Sequence, residues 1–524
     1  MSDPHHPGAG PRILAIGLEA ADPGLIERWC AAGHLPFLAY LKRRGAWARL
    51  ASPTDISSGA TWASVITGVN PAKHGMAFYH RQLRPGSYEI RKKYADEIGR
   101  EPFWMPLSRA GKRVAILDVP ETYPIPEMSG MQIVGWGAEG LNWKPSSTPP
   151  DLLRDLEARF GKHPLAGWYQ ARPETIDEWQ ELLGNLVAGL RARTSLASDV
   201  LGRERWDLCL VAFAETHWAG HFFWHLLDET HPEHDATMAK AFGDAMLEVY
   251  KEIDGAIAAL ARRMPGATLL VFSNTGMGPN YSGRHLVPEI LKRLGMTADR
   301  PGRGGSGRHR LDAVTRIERI VSPRIIERVK KIVPERIWDV GTRRLLGIGN
   351  GWKRSRAFAL PSDFTGAIRI NLKGREPNGL VEPGQEYDAL CAELAEAFGA
   401  LVDPESGRKA VVEVLKLRNL VSGEHVDELP DLIVKWTRDA PITALYAPQI
   451  GTVRGDLEDK RSGAHSFHGF VLASGPGLRR RPRDEEPTIM DIGPTISHLL
   501  GVPVSGDVDG QPLLDCVDEA AAVL

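Results

Sequence analysis

The stretch Leu208-Cys209-Leu210-Val211-Ala212-Phe213-Ala214-Glu215-Thr216-His217-Trp218-Ala219-Gly220-His221 joins an unbroken apolar run to two histidines four residues apart. Six consecutive apolar residues read as a strand buried on both faces, the pattern of a parallel sheet covered by helices. A helix beginning just after it puts His217 and His221 on one face, where two imidazoles can grip one metal ion. Such a junction lies at the carboxyl edge of the sheet, where α/β folds bind their ligands. The alternative for the pair is a solvated, His-rich helix start.

Further β-rich runs alternate with helical patterns on both sides of this stretch: Ile13 to Ile16, Arg113 to Asp118, Gln132 to Trp136, Thr268 to Phe272, Leu432 to Trp436 and Phe470 to Ala473. The alternation predicts an α/β fold with a mostly parallel central sheet sandwiched by helices. The first of these strands leads into Glu19 and Asp22, which then fall at the carboxyl edge; Asp22 reads equally as a helix cap. Between 300 and 356 the texture changes to a Gly-rich loop followed by a basic amphipathic segment carrying Arg316, Arg319, Arg324, Arg328, Lys330 and Lys331. The expected organisation is therefore a core over 1–299, a basic helical insertion over 300–356 and a second part of the core over 357–524. The insertion suits contact with an anionic substrate, a partner or a membrane surface, or is a plain solvated face.

Composition excludes several classes. A chain of 524 residues with 43% apolar and 25% charged residues is globular, and a formal charge of −2 gives no overall nucleic-acid-binding surface. Four scattered cysteines, Cys30, Cys209, Cys391 and Cys516, have neither disulfide-framework nor metal-ligand spacing. The first residues lack a basic segment followed by an apolar one, and no apolar stretch is long enough to span a bilayer, so a cytoplasmic location is expected.

Two loops carry further chemistry. Asp55-Ile56-Ser57-Ser58-Gly59-Ala60-Thr61-Trp62 leads into a short helical pattern ended by Gly68. A serine at that helix start faces backbone N–H groups and the positive end of the dipole, which suits a phosphoryl or sulfuryl group, or else it is a plain cap. Near the end, Gly463-Ala464-His465-Ser466-Phe467-His468-Gly469 offers a loop histidine as a third metal ligand.

Taken in order, Gly17-Leu-Glu19-Ala-Ala-Asp22, Ser58 before Thr67-Gly68-Val-Asn-Pro-Ala-Lys-His74-Gly75, Glu215-x-His217-x-x-x-His221, Ser273-Asn274-Thr275-Gly276-Met277 and Gly463-x-His465 resemble the alkaline phosphatase superfamily. The branch they resemble is the type I phosphodiesterase/nucleotide pyrophosphatase group. Ile368 to Arg375 and the closing Asp491 to Thr495 and Asp507 to Gly510 support it. The resemblance implies a two-metal phosphoester hydrolase with a Ser or Thr nucleophile, here Ser58 with Ser57 adjacent. It implies one complete site on His217, His221 and His465, for zinc or manganese, and a second on Glu19, Asn274 and Thr275. There, glutamate stands for an aspartate and the Asp-His pair is missing, so only one tight site is expected. The implied substrates are phosphodiesters or pyrophosphate-linked compounds, as phosphorylated small molecules or as lipid- or glycan-linked forms. The substitutions also motivate a second expectation: a catalytically impaired member acting as a ligand-binding or regulatory protein.

Overall fold

Strands Ile13–Leu18, Val114–Leu117, Leu208–Phe213 and Thr268–Ser273 are buried at every residue, and their side chains divide between two cores. Leu14, Ile16, Cys209, Val211 and Phe213 pack on one face with Trp29, Leu190, Tyr250 and Ile253. Ile13, Ala15, Leu208, Leu210 and Ala212 pack on the other with Trp62, Val65, Ile492 and Ile496. Each fully buried Leu or Ile contributes about 1.5–3 kcal/mol, so both faces must be covered. Helices Pro23–Ala31, Ile176–Arg203 and Ala245–Arg263 cover the first face, and Ser58–Thr67 and Ile492–Leu499 the second.

The computed structural model of the protein describes residues 10–78, 82–137, 144–166, 172–298, 351–457, 461–475, 478–480, 486–504 and 506–516. Its eight-stranded sheet runs in the order Ala46–Ala51, His468–Ser474, Thr268–Ser273, Ile13–Leu18, Leu208–Phe213, Val114–Leu117, Gly130–Val134, Ser146–Thr148. The five strands from Thr268–Ser273 to Gly130–Val134 are parallel, so the expected α/β sandwich is present. Because they are parallel, Glu19, Asp118, the residues from Ala214 and Asn274 all emerge at one edge.

The Phe470 to Ala473 run is a strand of this sheet, antiparallel to both Thr268–Ser273 and Ala46–Ala51. One sequence expectation needs correction. The Leu432 to Trp436 run is not in the main sheet at all. It pairs antiparallel with Gly366–Ile370 and Val411–Lys416 in a four-stranded sheet completed by Ala357–Leu360. That sheet is backed by helix Gln385–Gly399 through Leu390, Leu394 and Phe398. A short strand buried on both faces carries the same unbroken apolar run whether its neighbours are parallel or antiparallel, so periodicity cannot distinguish them. The basic insertion expected over 300–356 lies, apart from 351–356, outside the described residues. Among the described residues no helix is long and apolar enough to cross a membrane.

Candidate metal centre

Helix Glu215–Leu227 begins one residue after strand Leu208–Phe213, as the sequence predicts, and carries His217 and His221 on adjacent turns. Strand Gly463–Ser466 delivers His465 from 244 residues away and pairs with Gly276–Pro279 so that Met277 lies opposite His465. Two glycines allow the helix and this strand to meet: a Cβ on Gly463 would stand 2.1 Å from the Gly220 carbonyl oxygen. The result is a buried cluster in which the ligating atoms of His217, His221 and His465 all lie within 4.8 Å of one another. Among the described residues no other set of three His, Cys, Asp or Glu side chains is so placed.

The hydrogen bonds define how these rings are held. His221 Nδ1 lies 2.7 Å from the Gly463 carbonyl oxygen, which assigns the proton to Nδ1 and leaves the Nε2 lone pair facing His217 Nε2 at 2.8 Å. This carbonyl contact is the second-layer support that metal-binding imidazoles require. His465 stacks on His217 at 4.9 Å between ring centroids, and its Nδ1 is buried without a hydrogen-bond partner among the described residues. Burial first, then the neighbouring His217, push both His221 and His465 well below the ordinary histidine range. Three buried, convergent nitrogen donors, one of them with an orphaned ring nitrogen, are a donor set that fits a divalent metal ion.

The residues expected at the second site lie at the same edge of the sheet. Glu19 follows the first strand and is buried; its carbonyl accepts from Thr216 Oγ1 at 2.6 Å, which ties that strand end to the histidine helix. The Asn274 side-chain oxygen accepts from Ala20 N at 3.1 Å and its amide donates to Thr61 Oγ1 at 2.9 Å. The Thr275 hydroxyl donates to the Ser466 carbonyl. Asn274 and Thr275 thus fasten the first strand end, the serine helix and the His465 strand to one another. Among the described His, Cys, Asp and Glu side chains, the one cluster that could hold an ion is that of His217, His221 and His465, and it does not include Glu19.

Helix Ser58–Thr67 ends on Gly68 in the left-handed region, φ 70°, as expected for a glycine stop. Its cap is Ser57, whose Oγ accepts from Ala60 N at 3.3 Å and donates to the Ala77 carbonyl. Ser58 is the first helical residue, at the positive end of the dipole. Asp22 is the cap of Pro23–Ala31, accepting from Leu25 N at 2.9 Å.

Two charged groups around this centre have no motif in the sequence. Arg193 donates to Asp118 and, at 3.2 Å, to Glu215 Oε1, which also bonds His163 Nε2 at 2.9 Å; all four residues are buried. Burial opposes the charged form of Glu215, yet Arg193 and His163 outweigh it and hold its carboxyl below the usual range. This network anchors the first turn of the histidine helix to helix Ile176–Arg203. On the other side, Lys435 pairs with Asp55 at 2.8 Å, three residues before Ser58. Arg438 donates to the Ala464 carbonyl at 3.1 Å and to the His465 carbonyl. A buried-strand pattern running straight into a basic residue, Trp436-Thr-Arg438, is the one local signal that could have pointed to it.

Among solved structures, phosphonoacetate hydrolase from Sinorhizobium meliloti 1021 in complex with phosphonoformate aligns at 13% identity over 94% of this chain and 95% of that chain, with a TM-score of 0.49. Murine ectonucleotide pyrophosphatase/phosphodiesterase 5 aligns at 13% identity over 96% and 100% of the two chains, with a TM-score of 0.43. No curated protein matches the sequence. The pattern of the type I phosphodiesterase / nucleotide pyrophosphatase family matches residues 13–467, nearly the whole chain. The chain belongs to that family.

Proposed function

We propose that this chain is a divalent-metal-dependent phosphoester hydrolase that cleaves phosphodiester or pyrophosphate-linked small molecules through Ser58. Membership of the family supports the reaction class. The observation that carries the metal-dependent reading is the buried cluster of three convergent imidazoles at the carboxyl edge of the sheet. In this reading His217, His221 and His465 hold zinc, or else manganese, at one tight site, while Glu19, Asn274 and Thr275 hold a second ion weakly or not at all. The bound ion supplies Lewis-acid stabilisation of charge on the phosphoryl oxygens. Ser58 forms a bond to phosphorus as the leaving oxygen departs, and its place at the helix start favours the anionic group. Water then releases the phosphoserine. The basic residues between Arg316 and Lys331 add positive charge suited to an anionic substrate, a lipid- or glycan-linked one included.

One observation favours a second reading, a member that binds ligands or regulates without turnover: Asn274 and Thr275 are both committed to hydrogen bonds within the protein. A single assay separates the two. Purified protein is tested on p-nitrophenyl phosphate and bis-p-nitrophenyl phosphate before and after chelation. Turnover of the diester that chelation removes is expected; no turnover of either ester leaves the second reading in place.

A further inference from the structure

Arg438 is fixed at the edge of the imidazole cluster from three directions. The carbonyls of Ala464 and His465 take one hydrogen bond each from its two terminal nitrogens. The rings of Phe364 and Phe467 lie 5.8 and 5.5 Å from the guanidinium carbon and hold its plane, and Phe364 itself is 6.0 Å from the His465 ring. The far flank is set by Lys435, 4.5 Å over Phe467 and paired with Asp55 on the approach to the serine helix. The guanidinium therefore sits in the corner between the His465 strand and the segment that leads to Ser58.

Its donors are only partly used. A guanidinium carries five N–H groups, and two carbonyls take two of them; Arg438 makes no ion pair within 4.0 Å among the described residues. The residue is neither fully buried nor fully exposed. An arginine side chain is charged at neutral pH. A charged, planar, pre-oriented fork with spare donors matches the oxygens of a phosphoryl group.

We propose that Arg438 binds the non-bridging phosphoryl oxygens of the substrate, as a fixed protein cation beside the imidazole cluster. The proposal deepens the hydrolase reading and rests on it for the identity of the anion. Inorganic phosphate titrated calorimetrically into the purified full-length protein reads this contact without turnover. R438Q is expected to weaken phosphate binding by about 10-fold or more, the loss of one charge-assisted contact, with metal content unchanged. R438K keeps the charge, loses the fork and falls between wild type and R438Q. Guanidinium added to R438A at low concentration is expected to restore phosphate binding, which a purely structural arginine would not allow. Should R438Q not fold, R438K decides. Phosphate affinity unchanged in R438K and in whichever of R438Q and R438A folds overturns the proposal even where diester turnover persists. Phosphate binding that depends on Arg438 in a protein that cleaves neither nitrophenyl ester upholds Arg438 and removes the hydrolase reading instead.

Discussion

Ser57 and Ser58 are neighbours with opposite duties in this account. The Ser57 hydroxyl is spent on the Ala60 N–H and the Ala77 carbonyl, the bonds of a helix cap, whereas Ser58 stands on the helix side of it as the nucleophile candidate. Ser57→Ala should therefore cost about 1 kcal/mol of stability, read as a lower urea midpoint, and leave the catalytic machinery in place. Ser58→Ala should remove diester turnover. If turnover survives in Ser58→Ala and is lost in Ser57→Ala, the nucleophile is Ser57. The same residue-level reading explains what the sequence could not offer. His217 and His221 announce themselves by an i,i+4 spacing, and His465 by its place in the motif order. Arg193 does not: its carboxylate partners Glu215 and Asp118 lie 22 and 75 positions away, and no local spacing encodes such a pairing.

At the scale of elements, the centre depends on how closely helix Glu215–Leu227 approaches strand Gly463–Ser466. A methyl group on Gly463 would meet the Gly220 carbonyl oxygen at 2.1 Å, backbone against backbone, and has nowhere to go. A methyl on Gly220 would meet the end of the Met277 side chain at 2.6 to 3.2 Å, and that side chain can turn aside. Gly463→Ala should thus cost at least about 1–3 kcal/mol and lower metal content by separating His221 from His465, while Gly220→Ala costs less. Thermal unfolding with metal analysis of both variants checks this; equal losses would mean that the helix and strand can part without harm. The histidine helix and the parallel strands were legible because each combines a continuous apolar run with a clear change of period. The four-stranded antiparallel sheet was not, since Leu432–Trp436 has the same apolar signature as the strands of the main sheet.

For the whole molecule, buried neutral histidines couple stability to pH. His74 joins the turn after the serine helix to that helix: its Nδ1 accepts from Met76 N at 3.1 Å and its Nε2 donates to Ser64 Oγ at 3.0 Å. Burial first, then the Lys93 and His425 charges, bring its pKa from 6.5 down to about 3. Between those two values the unfolded chain binds a proton that the folded chain refuses, so stability rises with pH across the window and is lost as pH falls through 6.5 towards 3. His74→Gln should flatten that acid limb in urea unfolding, whatever it does to stability at neutral pH; an unchanged slope would show that His74 takes up its proton in the folded protein. The parallel sheet, the serine helix and the glycine approach together serve one end, the assembly of His217, His221 and His465 at the carboxyl edge. The most direct test of that centre is hydrolysis of bis-p-nitrophenyl phosphate by metal-stripped protein during titration with zinc, beside His221→Ala. The account predicts activity that rises to saturation at about one zinc per chain and is absent from the variant, the behaviour of a single three-imidazole site. Turnover that ignores zinc, or that survives in His221→Ala, would contradict it.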